Sequence, residues 1–282
     1  MNELHAWLVG DMSPRARVVT ALLPALVAMG YFLLGYVAYN IRALIWGVPR
    51  EYTNETRRSS ALVGYHLRFY FFWVINPLWK LVLKSGLSAN AVTGIAAGLG
   101  LGAALAAGFG RFALAGWLFI FSGILDTMDG RLARARGQES PAGAAIDSIL
   151  DRYTDSLMLF GLGFYYRDSW VILPVFLALL GTSVTPYVRA KSEALGYPLA
   201  DGLMQRAERI MYLGGTVALS PIFEALVFPN DPRPVHWVAA LGVVFLAVTS
   251  NITGISRFAS LVRTIKGTRA ASNVARDRDR AA

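Results

Sequence analysis

Residues 126–151 read DTMDGRLARARGQESPAGAAIDSILD, between an apolar run that starts at Phe112 and another that ends near Tyr166. Asp126, Asp129, Asp147 and Asp151, with Asp155 one turn further on, stand where those two runs meet. A lone aspartate at the centre of a membrane helix costs roughly 2.5 to 3.5 kcal/mol. Five together, even near the end of a span, need a purpose. At 100° per residue Asp126, Asp129, Gly130 and Ala133 fall within an arc of roughly 100°. Gly143, Asp147 and Asp151 follow at four-residue steps and form a second stripe. Two antiparallel helices with a short link bring the stripes face to face. Carboxylates a few ångströms apart cannot all stay ionised alone, so the cluster calls for bound protons or divalent cations. The plainer alternative is a solvated helix end, or ion pairs with Arg131, Arg134 and Arg152.

The chain has no cysteine and only three histidines, His5, His66 and His236. Thiolate and imidazole sites are thereby set aside, and oxygen donors select a hard cation. Two Mg²⁺ would neutralise the acids, with Mn²⁺ as a substitute. Small residues beside the acids, Gly130, Ala133 and Gly143, clear space for a ligand against the backbone. Arg134 then reaches a phosphate held by the same cations.

Composition supplies the surroundings. Of 282 residues 55% are hydrophobic and 16% charged, with mean hydropathy +0.45. Soluble domains carry roughly a quarter charged residues, so neither an ordinary soluble domain nor a disordered chain fits. Apolar stretches of about 20 residues, enough to cross a bilayer, begin near Val18, Val92, Phe112, Ala142, Trp170, Ile210 and Trp237. The pattern predicts an all-α integral membrane protein with seven spans. The first, Val18 to about Ile41, exceeds a signal-peptide core and has no small-residue cleavage site before Arg42, so it should stay as an anchor. Leu62 to Leu83, with Tyr65, Phe69, Tyr70, Phe71, Phe72, Trp73 and Trp79 broken by Arg68, Pro77 and Lys80, is expected to be one interfacial amphipathic helix. The predicted order is an anchor and cytoplasmic linker over 1–61, the interfacial helix over 62–86, a six-helix membrane unit over 87–265 and a basic disordered tail over 266–282.

The net charge of +9 is distributed between apolar runs, which favours a membrane surface over nucleic acid as partner. Arg131, Arg134 and Arg136 crowd one loop, and Arg189, Lys191, Arg206 and Arg209 another, against sparse Arg111, Arg167 and Arg233 in the loops between. By the positive-inside rule the rich loops, the acids and the tail from Arg263 face the cytoplasm, in the cytoplasmic membrane. Crossing parity puts the N-terminus outside, in keeping with Arg42, Arg50, Arg57 and Arg58 outnumbering Arg15 and Arg17.

Written as D-TM-DG-RL-AR, eight residues, then G-AAI-D-SIL-D, the acidic stretch resembles, without a mismatch, the signature of the CDP-alcohol phosphotransferases. Eight fixed positions across about 26 residues make the likeness specific, and it extends from about Leu87 to Arg263. The resemblance implies the family's six-helix fold, with Asp126, Asp129, Asp147 and Asp151 holding a dinuclear metal centre and Asp151 as general base. It implies contacts from Gly130 and Arg134 to a CDP moiety, with Ser140 near the diphosphate. GLSANAVT, from Gly86 to Thr93, is similar to the family's entrance segment, so Asn90, Ala91, Val92 and Thr93 join the CDP-lipid set. Ala89 replaces the proline usual there. The implied reaction is direct phosphoryl transfer from a CDP-lipid such as CDP-diacylglycerol to an alcohol, with CMP leaving and no covalent enzyme intermediate. A homodimer is also implied.

The acceptor must be read from other residues. Arg189, Lys191, Arg206 and Arg209, in PYVRAKSEALG and GLMQRAER, suit an alcohol that carries its own phosphate. Both segments, and the DRYTD that starts at Asp151, resemble phosphatidylinositol phosphate synthases, which implies inositol 1-phosphate. Gln205 stands where an acid is common. The competing expectation is that these cations serve topology only, neutralised by Glu193 and Glu208. Glycerol 3-phosphate, serine or another alcohol is the alternative within the family. Outside it stand an ion or proton transporter using the intramembrane aspartates and a structural metal-binding membrane protein.

Overall fold

The computed structural model describes residues 13–47, 65–197, 205–231 and 234–281. The linker with Arg50, Arg57 and Arg58, the first residues of the expected interfacial helix from Leu62, and Arg233 lie outside them. The described residues form nine helices and no strand: α1 Pro14–Trp46, α2 Tyr65–Val74, α3 Asn76–Lys84, α4 Ala89–Gly108, α5 Phe112–Ala135, α6 Pro141–Tyr165, α7 Ile172–Ala194, α8 Arg206–Val227 and α9 Trp237–Ala281.

Six helices close a ring in which α4 packs on α5, α5 on α8, α8 on α9, α9 on α7, α7 on α6 and α6 back on α4. Lipid supplies no hydrophobic drive between helices, so close approach through small residues does the work. At the crossing of α5 and α8 a Cβ on Gly116 would lie 2.4 Å from the Gly214 carbonyl oxygen, and at that of α4 and α6 one on Gly161 would lie 2.1 Å from the Ala104 carbonyl oxygen. Around these contacts Phe119, Met158, Leu162, Leu213, Val243 and Leu246 fill the ring. Outward faces carry exposed Leu, Phe, Val and Ile along every long helix, as lipid contact requires.

Among the described residues six helices are long and apolar enough to cross a membrane: α1, α4, α5, α7, α8 and α9. The seventh expected span, α6, has 25 residues and its place in the ring, but its first half carries the acids that lower its hydropathy. The chain is a multi-pass membrane protein. The anchor helix α1 lies outside the ring against α8, with lesser contacts to α2 and α5.

Two expectations need correction. The interfacial stretch is two helices, broken at Ile75, because Pro77 has no N–H to return to the preceding turn and starts α3 instead. Its aromatic residues do not all sit outward: Tyr70 and Val74 are buried with Tyr39 of α1 against Val92, Met128 and Leu132. Tyr31 donates a hydrogen bond to the Val74 carbonyl at 2.6 Å, and Tyr70 one to that of Phe32. The basic tail, expected to be disordered, continues the backbone of α9 to Ala281. Ala and Arg there are good helix formers, and no proline interrupts them.

Candidate active site

Three of the helices begin at one end of the ring, each with a side-chain cap. Ser88 accepts from Ala91 N at 3.2 Å and Ser140 from Gly143 N at 3.0 Å, while Gln205 and Glu208 form a reciprocal capping box. The caps fix where α4, α6 and α8 start, and α5 ends among them at Ala135, with Gly137 at φ 62° in the turn that follows. The acids of α5 and α6 are thus gathered at a single mouth of the bundle.

Asp126, Asp129 and Asp147 each bring a carboxylate oxygen within 4.8 Å of the others. The two predicted stripes do face each other. Asp129 is 4% exposed, and Thr93 Oγ1 donates to its Oδ2 at 2.7 Å. Oxygen-only donors at this spacing, partly sheltered and convergent, fit a hard divalent cation. Asp151, the fourth predicted ligand, lies one turn along α6 and faces Arg206, whose Nη1 is 3.0 Å from Asp151 Oδ1.

Arg206 opens α8 and binds three acids. Its Nη1 also pairs with Asp126 Oδ2, and its Nε lies 3.3 Å from Asp155 Oδ1. The sequence groups this arginine with Arg189, Lys191 and Arg209 as a basic set for a phosphorylated acceptor; packing of α8 on α5 brings it against the acids as well. Beside it a cavity of about 110 Å³ is lined by Asp151, Arg152, Asp155, Thr182, Arg206 and Arg209. The buried Nε and Nη1 of Arg209 have no hydrogen-bond partner among the described residues.

The remaining predicted residues divide. A Cβ on Gly143 would meet Ser140 Oγ at 3.1 Å and Asn90 Oδ1 at 3.6 Å, so Asn90, Ser140 and Gly143 converge. A Cβ on Gly130 would meet only Arg134 Nη1, at 3.7 Å, which leaves open space with a guanidinium above it. Ala133 is half-buried on the same face, and Ala91 gives the N–H that Ser88 caps. Val92 does not join them: it is buried in the apolar cluster under α2 and α3, because its place on α4 faces away from Asn90 and Thr93. Arg189 and Lys191 do not line the cavity; Arg189 pairs instead with Glu193 at 3.0 Å, both more than half exposed. Glu208 caps α8 through the Gln205 N–H at 2.9 Å. Unforeseen cavity residues are Arg152, Ser148, Ser156, Thr182, Ser183 and Pro186. Their signal was polar residues recurring within the inner half of an apolar span.

Fold and acids together define an integral membrane CDP-alcohol phosphotransferase. The sequence profile of the CDP-alcohol phosphatidyltransferases matches residues 87–248, and the chain belongs to that family. Helices α1, α2 and α3 lie outside the match. It is 32% identical over 194 residues to the phosphatidylinositol phosphate synthase of Mycobacterium marinum, covering 66% of this chain and 78% of that one. The phosphatidylinositol phosphate synthase of Cutibacterium acnes is 29% identical over 70% of this chain and 97% of its own. Crystal structures of the phosphatidylinositol phosphate synthase of Mycobacterium tuberculosis are similar at 26% identity over 66% of this chain. One, with manganese and citrate, has TM-score 0.56 over 87% of its chain, and one with CDP-DAG bound has 0.55 over 92%. The chain is therefore a transferase of phospholipid biosynthesis that moves a substituted phosphate from a CDP-linked lipid.

Proposed function

We propose that the protein transfers the phosphatidyl group of CDP-diacylglycerol to inositol 1-phosphate, releasing CMP, at the cytoplasmic face of the cell membrane. The observation that carries this is the cavity whose wall includes both Asp151 and the cations Arg152, Arg206 and Arg209. An acceptor phosphate there gains charge-assisted hydrogen bonds while its hydroxyl faces a carboxylate. The names and likeness of the mycobacterial and cutibacterial relatives support the same acceptor.

Asp126, Asp129, Asp147 and Asp151 would hold two Mg²⁺, or Mn²⁺ in their place. Bound there, the metal supplies electrostatic stabilisation of the diphosphate and of the leaving phosphate oxygen. The chain's own residues do the rest. Thr93 fixes the Asp129 carboxylate, so one ligand is preset rather than ordered on binding. Gly130 leaves room for the nucleotide, with Arg134 over it to pair a phosphate, and Asn90, Ser140 and Gly143 border the same space. Asp151 takes the acceptor's hydroxyl proton as oxygen attacks phosphorus. Arg206 and Arg209 orient the acceptor's phosphate. The extra helix α1 holds the N-terminus outside, and the enzyme works as a homodimer.

Purified protein supplied with CDP-diacylglycerol, Mg²⁺ and a panel of inositol 1-phosphate, inositol, glycerol 3-phosphate and serine tests this by CMP release and lipid product. Turnover with inositol 1-phosphate at least about tenfold above the others in kcat/KM is expected. Preference for an acceptor without phosphate would overturn it.

A further inference from the structure

Asp155 lies outside the eight signature positions and outside the convergent set of three carboxylates, yet it is the third acid on the α6 stripe of Asp147, Asp151 and Asp155. Its Oδ1 lies 3.3 Å from Arg206 Nε, while the Nη1 of the same guanidinium pairs with Asp126 and lies 3.0 Å from Asp151. Divalent cations and Arg206 Nη1 therefore call on the same carboxylates, Asp126 and Asp151. Two positive groups cannot share them at full strength. A guanidinium displaced from those two and left without another anion would be a partly buried, uncompensated charge beside a metal, a costly arrangement.

We propose that Asp155 is a positioning residue: it tethers Arg206 by Nε, so that cation binding frees the guanidinium's outer nitrogens for the acceptor's phosphate without releasing the side chain. The tether point is what the geometry supplies. Nε is the inner nitrogen of the fork, and holding it leaves Nη1 and Nη2 free to face the cavity that Asp155 and Arg206 line together. The capping box at Gln205 and Glu208 fixes the first turn of α8, so Arg206 is aimed from one end by its backbone and from the other by Asp155. Asp155 thus joins metal loading to acceptor recognition without touching the reacting atoms.

The inference rests on the cavity being the acceptor site, and the test separates the two. Mn²⁺ affinity is measured by electron paramagnetic resonance of free Mn²⁺, without any substrate, for the wild type, Asp155→Asn, Asp155→Glu, Arg206→Gln and the double variant Asp155→Asn/Arg206→Gln. Asp155→Asn should lose about tenfold or more in Mn²⁺ affinity in the wild-type background, but no more than about threefold beside Arg206→Gln, since its effect runs through the arginine. Asp155→Glu, which keeps the charge, should stay within about threefold of the wild type. Equal losses from Asp155→Asn in both backgrounds, or none in either, would overturn the proposal. Should Asp155→Asn alone not fold, Asp155→Glu and the pair built on Arg206→Gln decide: a loss above about threefold in either comparison overturns it. In turnover, Asp155→Asn should raise the acceptor KM about tenfold and leave that for the CDP-lipid within about twofold; equal rises in both would also overturn it. If no phosphorylated alcohol is turned over by the wild type, the functional reading fails while the Mn²⁺ titration still judges Asp155.

Discussion

Thr93 Oγ1 and Asp129 Oδ2 lie 2.7 Å apart, both buried, and this bond ties the first turn of α4 to the carboxylate on α5. Outer groups that hold a metal ligand are commonly worth 10- to 100-fold in metal affinity. Thr93→Val keeps the shape and removes the donor. It should weaken Mn²⁺ binding about tenfold with little change in thermal midpoint, and Thr93→Ser should restore most of the loss, both read by metal titration of purified protein.

Gly161 and Gly130 predict opposite outcomes for the same substitution. A Cβ at Gly161 would overlap the Ala104 backbone, so α4 and α6 would have to separate, at a cost of about 1 to 3 kcal/mol or more. Gly161→Ala should therefore lower the thermal midpoint in detergent. At Gly130 a Cβ has only Arg134 Nη1 nearby, at 3.7 Å. Gly130→Ala should leave the midpoint unchanged and raise the KM for CDP-lipid several-fold. An unaltered KM would remove that face from the donor site.

The carboxylate cluster was legible because helical periodicity is a local rule: i and i+4 share a face wherever the helix goes, and a short link leaves few ways to pair α5 with α6. Six of the seven expected spans meet the length and hydropathy of a crossing helix, a property equally local in sequence; α6 keeps its place in the ring with acids in its first half. The pairing of Arg206 with Asp126, Asp151 and Asp155 was not legible, because it is set by α8 packing on α5, across 80 residues of sequence, and no spacing rule reports that. The surroundings of Val92 were hidden in the same way. It sits one residue from Thr93 in an apparently continuous motif, but 100° of helix turns it onto the neighbouring face, under α2 and α3. The break at Ile75 could have been read from Pro77; the aromatic run around it outweighed that signal.

Arg131 follows Gly130 but points to the back of α5, where its guanidinium lies 5.0 Å from the centre of the Phe72 ring and 4.9 Å from that of Trp79. Helices α2 and α3 are thus clasped to the rear of the metal-site helix by a cation between two aromatic rings. Such contacts contribute about 0.5 to 2 kcal/mol each. Trp79→Leu and Arg131→Met should each lower unfolding stability by that order, and their double variant should lose less than the sum, as measured by a double-mutant cycle on thermal unfolding. Strict additivity would show that the two side chains do not interact.

His236 lies at the opposite end of the bundle, in the connection between α8 and α9, with its ring stacked 3.9 Å from that of Phe112. It is 4% exposed, and its Nδ1 has no hydrogen-bond partner among the described residues. Burial, with the nearby Arg17 cation adding to it, pushes its pKa down to about 3 from the ordinary 6.5. Between those values the unfolded chain takes up a proton that the folded chain refuses. Folding stability from this group is therefore complete above about pH 6.5 and is lost as the pH falls below it, by up to about 1.4 kcal/mol per pH unit. The residue also holds φ at 54°, a left-handed conformation that asparagine tolerates well. His236→Asn should lower stability at pH 7.5 through the lost ring contact, yet flatten the decline between pH 6.5 and 5, read as thermal midpoint in detergent at each pH. Parallel slopes for the wild type and the variant would mean that His236 titrates normally in the folded protein.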